Sequence, residues 1–213
     1  MGTRGFVGVS VDGTEKIAYQ QFDSYPSGVG LQALGAARKI AADPAAWRER
    51  AAGLTLVTND TRPTPEQVER LRQYADTAVS TGELTEWYVL LRNLQGDLIG
   101  YLDVGLMEDA GRFPLDSLFC EWGYLVDFDE GVFEVYKGFQ KAPHDRGRFA
   151  GRIAAEVAAG KRLDPAVEAA ERASHYRDGY EPPAYYEVAL AEAWLLGALP
   201  DDEAFMAEIE ESY

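Results

Sequence analysis

Residues 7–22 specify a β-hairpin. Val7, Val9 and Val11 alternate with Gly8 and Ser10, Asp12-Gly13 supplies the positive-φ pair of a two-residue turn, and Ile17, Tyr19 and Phe22 continue beyond it. An Asp-Gly pair between alternating strands is the strongest short-range hairpin signal a sequence carries. A second hairpin is expected from Glu121 to Phe128 and from Val132 to Phe139, joined by Asp129-Glu130-Gly131. In its return strand Phe133, Val135 and Phe139 alternate with Glu134, Tyr136 and Gly138, the pattern of a sheet with one wet face.

Helical periodicity fills much of the remainder. Leu31, Leu34, Ala37 and Ile40 recur at helical spacing, and Asp43-Pro44 stops that helix while capping a short successor through Trp47. Leu54 to Thr58 reads as a short strand, followed by a polar loop from Asn59 to Pro63. Thr64-Pro65-Glu66-Gln67 is a capping box that opens a helix with Val68, Leu71, Tyr74 and Ala75 inward. Leu84, Trp87, Tyr88, Leu91 and Leu94 predict another helix, and Leu98, Tyr101, Leu102 and Leu106 a further short one. Residues 140–150 read as a charged surface loop, Ile153 to Ala159 as a helix, and Asp164-Pro165 as the start of a helix to Ala173. Residues 185–196 have helix-favouring Ala, Glu and Leu, yet Tyr186, Val188 and Leu190 alternate, which predicts a strand. Asp201 then caps a last helix. The expected fold is α+β: one domain over residues 1–213, mainly antiparallel sheet built from hairpins and covered by amphipathic helices.

Charge narrows the partners. Twenty Lys and Arg against 36 Asp and Glu give a net charge of −16, which repels phosphate backbones and anionic membranes. No nucleic-acid and no membrane partner is therefore expected. Solubility alone, a basic protein partner, or mimicry of DNA charge remain open. A single cysteine, Cys120, rules out an internal disulfide and a multi-thiolate metal site, and its apolar neighbours Leu118 and Phe119 make it a small buried hydrophobe. No apolar stretch reaches transmembrane length and the opening lacks a basic-then-apolar signal, so the expected location is the cytoplasm.

Catalytic signatures are thin. His144 and His175 stand far apart with no second ligand at metal spacing, so no metal and no cofactor are expected, while an oxygen-only magnesium or calcium site among the many carboxylates stays open without a calcium-loop spacing. Gly28-Val29-Gly30 meets neither nucleotide fingerprint. Ser24 lies beside Asp23 and Tyr25 without a local histidine or a nucleophile elbow. Glu121, next to Trp122, would become a general acid if it pointed inward, but Cys120 and Glu121 face opposite sides of a strand and only one can do so. The loop Phe22-Asp23-Ser24-Tyr25-Pro26 has the composition of a recognition surface, since Tyr gives contact area at low entropy cost. Candidate binding residues are thus Asp23, Ser24, Tyr25, Glu121 and Trp122, with no catalytic residue assigned.

Two resemblances follow. Thr3-Arg4-Gly5-Phe6-Val7-Gly8, then Asp12-Gly13, Glu15-Lys16, Tyr19 and Phe22-Asp23-Ser24-Tyr25-Pro26, resembles uncharacterised proteins of actinobacteria and their phages. Cys120-Glu121-Trp122-Gly123-Tyr124 with Phe133-Glu134-Val135-Tyr136 is similar to that group's second block. A strand at the very N-terminus leading into a sheet between helices resembles the layered architecture of N-terminal-nucleophile amidohydrolases. That likeness implies a processed N-terminus with Cys, Ser or Thr as residue one. Loss of Met1 here exposes Gly2, so only a further cleavage would free Thr3 to act; the other route for such a hydrolase is through carboxylates such as Asp23 and Glu121. The leading expectation is a non-enzymatic, acidic protein-binding or regulatory domain of phage context. The alternatives are such a hydrolase, or a small-ligand binder at the Asp23–Tyr25 loop.

Overall fold

The computed structural model describes residues 2–175 and 182–211; Met1, on which N-terminal processing turns, lies outside them. In chain order the elements are β1 (Gly5–Val11), β2 (Thr14–Gln20), α1 (Leu31–Ala42), α2 (Pro44–Gly53), β3 (Thr55–Val57), α3 (Pro65–Leu71), α4 (Trp87–Leu90) and α5 (Leu98–Val104). They continue with β4 (Leu106–Glu108), β5 (Trp122–Asp127), β6 (Val132–Lys137), α6 (Arg152–Ala158), α7 (Pro165–Ala173), β7 (Ala189–Leu195) and α8 (Asp202–Glu211). Among the described residues no helix is long and apolar enough to cross a membrane.

Both hairpins form. Val11 pairs with Thr14 around a turn in which Asp12 and Gly13 take φ of 52° and 70°, and Asp127 pairs with Val132 around the second turn. The two hairpins then join side by side, β1 running parallel to β5 from Gly5↔Trp122 to Ser10↔Asp127. With β7 antiparallel to β6, the sheet order is β2-β1-β5-β6-β7, and three of its four pairings are antiparallel. The fold is therefore α+β with an antiparallel-dominated mixed sheet, which differs from the expected hairpin sheet by its central parallel pair. The chain between the hairpins provides the long crossover that a parallel pair requires.

β1 is buried on both sides, every residue of it. Val7, Val9, Tyr124, Val126 and Phe133 belong to the main core together with Leu34, Ile40, Trp47, Leu102 and Phe205 from the helices. On the opposite face Phe6, Ile17, Leu125, Tyr136, Phe149 and Val188 form a second, smaller core. Gly123 is needed there: a Cβ would fall 1.9 Å from the Phe6 ring. The face expected to be wet is thus covered, and its acids are paired. Arg148 reaches Glu134 through Nε at 2.7 Å and also Asp127, while Arg152 reaches Glu15 at 2.7 Å. Charges withdrawn from water need such partners.

The caps act as the sequence foretells: Asp43, Asp164 and Asp201 accept helix N–H groups, and Thr64 and Gln67 complete the capping box. Three helical readings are corrected. The Leu84–Leu94 pattern is helical only at α4 and a following 3-10 turn, because the residues before it form a chain of turns around Asp76 and Gly82. The helix opened by the capping box ends at Leu71 and passes into a 3-10 turn through Tyr74. Leu106 belongs to strand β4, since Gly105 at φ 73° ends α5 and lets the chain pair with β3 in parallel. The 185–196 segment does contain a strand, β7, which begins only at Ala189 and ends at Leu195.

A clasp between the two turns fixes how the hairpins meet. The Asp129 carboxylate accepts the Asp12 and Gly13 N–H groups at 3.1 and 2.9 Å. Arg48, from α2, donates to Asp12, Asp129 and the Phe128 carbonyl. The Gly13 N–H and then Arg48 hold the Asp129 carboxyl below its ordinary pKa. Its contribution to stability is present above the unfolded pKa and is lost as pH falls through the lowered, folded one. Asp129→Asn is therefore expected to melt below the parent at neutral pH, with the gap closing toward about pH 2. Thermal melts at both pH values check this; a gap that persists undiminished in acid would contradict it.

Candidate functional site

Opposite the clasp lies the open end of the paired hairpins. Four chain segments converge there: residues 2–4 leading into β1, 21–25 leaving β2, 117–121 leading into β5, and 138–140 leaving β6. Backbone bonds tie them together, Ser24 N–H to the Thr3 carbonyl at 3.2 Å, Glu121 N–H to Arg4 at 2.9 Å, Gly138 N–H to Glu121 at 2.8 Å, and Phe139 N–H to Ser117 at 2.7 Å. They enclose a cleft of about 330 Å³, and Thr3, Arg4, Tyr25, Phe119, Glu121 and Phe139 are among its walls.

 Among the described residues, no helix contributes to the walls of this cleft.

Local sequence explains each wall. Asp23 takes φ of 54°, which a short polar side chain tolerates, and its carbonyl accepts the Val29 N–H at 2.9 Å as the chain tightens into the turn before α1. Ser24 is fully buried, and the Tyr124 hydroxyl donates to its carbonyl at 2.8 Å. That bond, made from the floor of the sheet, turns Tyr25 outward. Phe139 adopts φ of 58°, an unusual conformation for a bulky residue and one that costs about 1–3 kcal/mol. Its N–H bond to Ser117 holds it there, with the ring half-exposed at the cleft. Tyr25, Phe119 and Phe139 are 52 %, 44 % and 48 % exposed. Arg4 lays its guanidinium over Phe119, 4.8 Å from the ring centre, and makes no ion pair with a described residue.

The residues expected from the sequence divide. Tyr25 and Glu121 meet in the cleft, with Glu121 Oε1 accepting the Arg4 N–H at 3.3 Å. Asp23 is exposed at the edge of the same loop, and Ser24 lies beneath it with a hydroxyl that has no hydrogen-bonding partner among the described residues. Trp122 is a correction: it is buried in the main core, because strand alternation sends it to the face opposite Gly123 and Phe6. Cys120 takes the inward position, where burial pushes its thiol pKa up, and Glu121 is left partly exposed. Thr3 is buried and its carbonyl is engaged by Ser24. Among the described residues no group of three or more His, Cys, Asp or Glu converges as a metal site.

Sequence reasoning missed Arg4, Phe119 and Phe139. Their common signal is position: each lies within three residues of a strand end at the open side of a hairpin. The Tyr124 bond can be tested directly. Tyr124→Phe is expected to cost about 1 kcal/mol and to speed amide exchange at Ser24 and Val29. Unchanged exchange at both amides would show that the hydroxyl does not hold the loop. Comparison with family models, curated proteins and solved structures finds no match for this chain.

Proposed function

We propose that the chain is a protein-binding domain whose open-end cleft receives an apolar side chain from a basic protein partner. The supporting observation is the ring of three half-exposed aromatic side chains, Tyr25, Phe119 and Phe139, around one concave site. Apolar area of this kind in a grouped patch marks interaction surfaces, and Tyr and Arg are enriched among the residues that dominate binding energy. Arg4, stacked on Phe119, adds a planar donor to that wall. The net charge of −16 attracts a partner of opposite sign over distance, and Glu121 offers it a carboxylate at the mouth.

A small ligand in the same cleft is a second reading, favoured by volume: about 330 Å³ falls at the lower end of small-molecule sites. The exposure of all three rings favours the protein partner, since a small-molecule site encloses most of its ligand.

Capture of proteins from a cell lysate by the immobilised chain, with Tyr25→Ala, Phe119→Ala and Leu195→Ala alongside, tests the proposal. A basic protein held by the parent should be lost about tenfold or more from both cleft variants. It should be kept by Leu195→Ala, which changes an exposed side chain in β7, outside the cleft. Its capture should also fall as salt rises from about 50 to about 500 mM. Identical sets of captured proteins from all four chains would overturn the reading.

A further inference from the structure

A second cavity, of about 390 Å³, lies beyond the carboxyl ends of β3 and β4. These two short strands run parallel, Thr55↔Leu106 to Val57↔Glu108, and the ladder is extended by Asp109 N–H to the Val57 carbonyl at 2.8 Å. Asn59, two residues past β3, and Glu108, the last residue of β4, therefore arrive at one site. The carboxyl ends of parallel strands are where ligands enter open α/β sheets, because the chain leaves both strands in the same direction and opens a crevice between the departing loops.

The walls carry matched polar groups of both signs over an aromatic base. Trp87 is buried, and its indole N–H donates to the Thr61 hydroxyl at 3.2 Å, so the ring is fixed in place. Glu86 is fixed as well, its two carboxylate oxygens accepting from Ser80 at 2.8 Å and Thr81 at 2.7 Å. Those hydroxyls, led by Thr81, hold its pKa below the ordinary value. Glu108 differs. It is half-buried, its carboxyl makes no hydrogen bond to a described residue, and burial followed by the nearby Glu86 charge raises its pKa. Arg62 spends one donor on the Thr85 carbonyl at 3.4 Å and makes no ion pair with a described residue. Of its five N–H donors, most are left for something else.

The balance of these groups selects the ligand's charge. A small anion meets two carboxyl groups, and a small cation meets the guanidinium. A neutral molecule bearing several hydroxyls satisfies both, since each hydroxyl donates to a carboxylate while accepting from Arg62 or the Asn59 amide. We propose that this cavity binds a small neutral polyol of the free-sugar class, held by hydrogen bonds to Asn59, Arg62, Glu86 and Glu108 beside Trp87. The site is separate from the aromatic cleft and shares no wall with it.

The test follows the indole N–H signal of Trp87 in the full chain by NMR, assigned with Trp87→Phe. Glucose, galactose, ribose and N-acetylglucosamine are titrated singly, with putrescine and citrate as charged probes. At least one neutral sugar should shift the Trp87 signal saturably. Arg62→Ala, at an exposed position, and Glu108→Ala should each raise its Kd about tenfold. Tyr25→Ala should leave it unchanged, which separates this site from the protein-binding cleft. Absence of any saturable shift with all four sugars would overturn the proposal. Binding of putrescine or citrate in their place, or equal sugar binding by the Arg62 and Glu108 variants, would do so too.

Discussion

The parallel pairing of β1 with β5 is the contact on which the rest of the molecule depends. Neither hairpin alone buries enough apolar surface to persist in water. Joined along Gly5–Ser10 and Trp122–Asp127, they become the middle of a five-stranded sheet with a core on each face. Packing at the joint is close enough that Phe6 lies directly over Gly123. Because the strands run parallel, both turns come to one end and all four free strand ends to the other. Asp129 and Arg48 knit the turns, and the cleft occupies the opposite end.

The cleft is thus a consequence of topology, and its aromatic lining is what the chain adds. Phe139 is held outward by a left-handed backbone, and Tyr25 by the bond from Tyr124 to the Ser24 carbonyl. Conformations of this kind persist only where surrounding structure over-determines them, and they gather at functional sites. Ser80, in the loop beside the second cavity, is another non-glycine residue at positive φ, 51°.

How much of this was legible depended on the range of the interaction. The two hairpins and the helix caps at Asp43, Thr64, Asp164 and Asp201 are local signals, written within a few residues, and they were readable. The β1–β5 pair joins residues more than a hundred positions apart, and nothing in either strand names its partner. Leu106 continues the helical spacing of Leu98, Tyr101 and Leu102, yet Gly105 breaks the helix one residue earlier. At the site, Tyr25 and Glu121 stood out by composition, whereas Arg4, Phe119 and Phe139 acquire meaning only when strand ends meet. Trp122 is a conspicuous residue type at a strand start, but the strand's alternation assigns its side chain to the core face.

Native-state hydrogen exchange resolved by residue tests the central joint most directly. Amides of β1 and β5 that bridge the two hairpins should exchange only through global unfolding, with a single opening free energy for both strands. Opening of the β5–β6 hairpin at a lower free energy, while β1 and β2 stay protected, would contradict a sheet built around that joint.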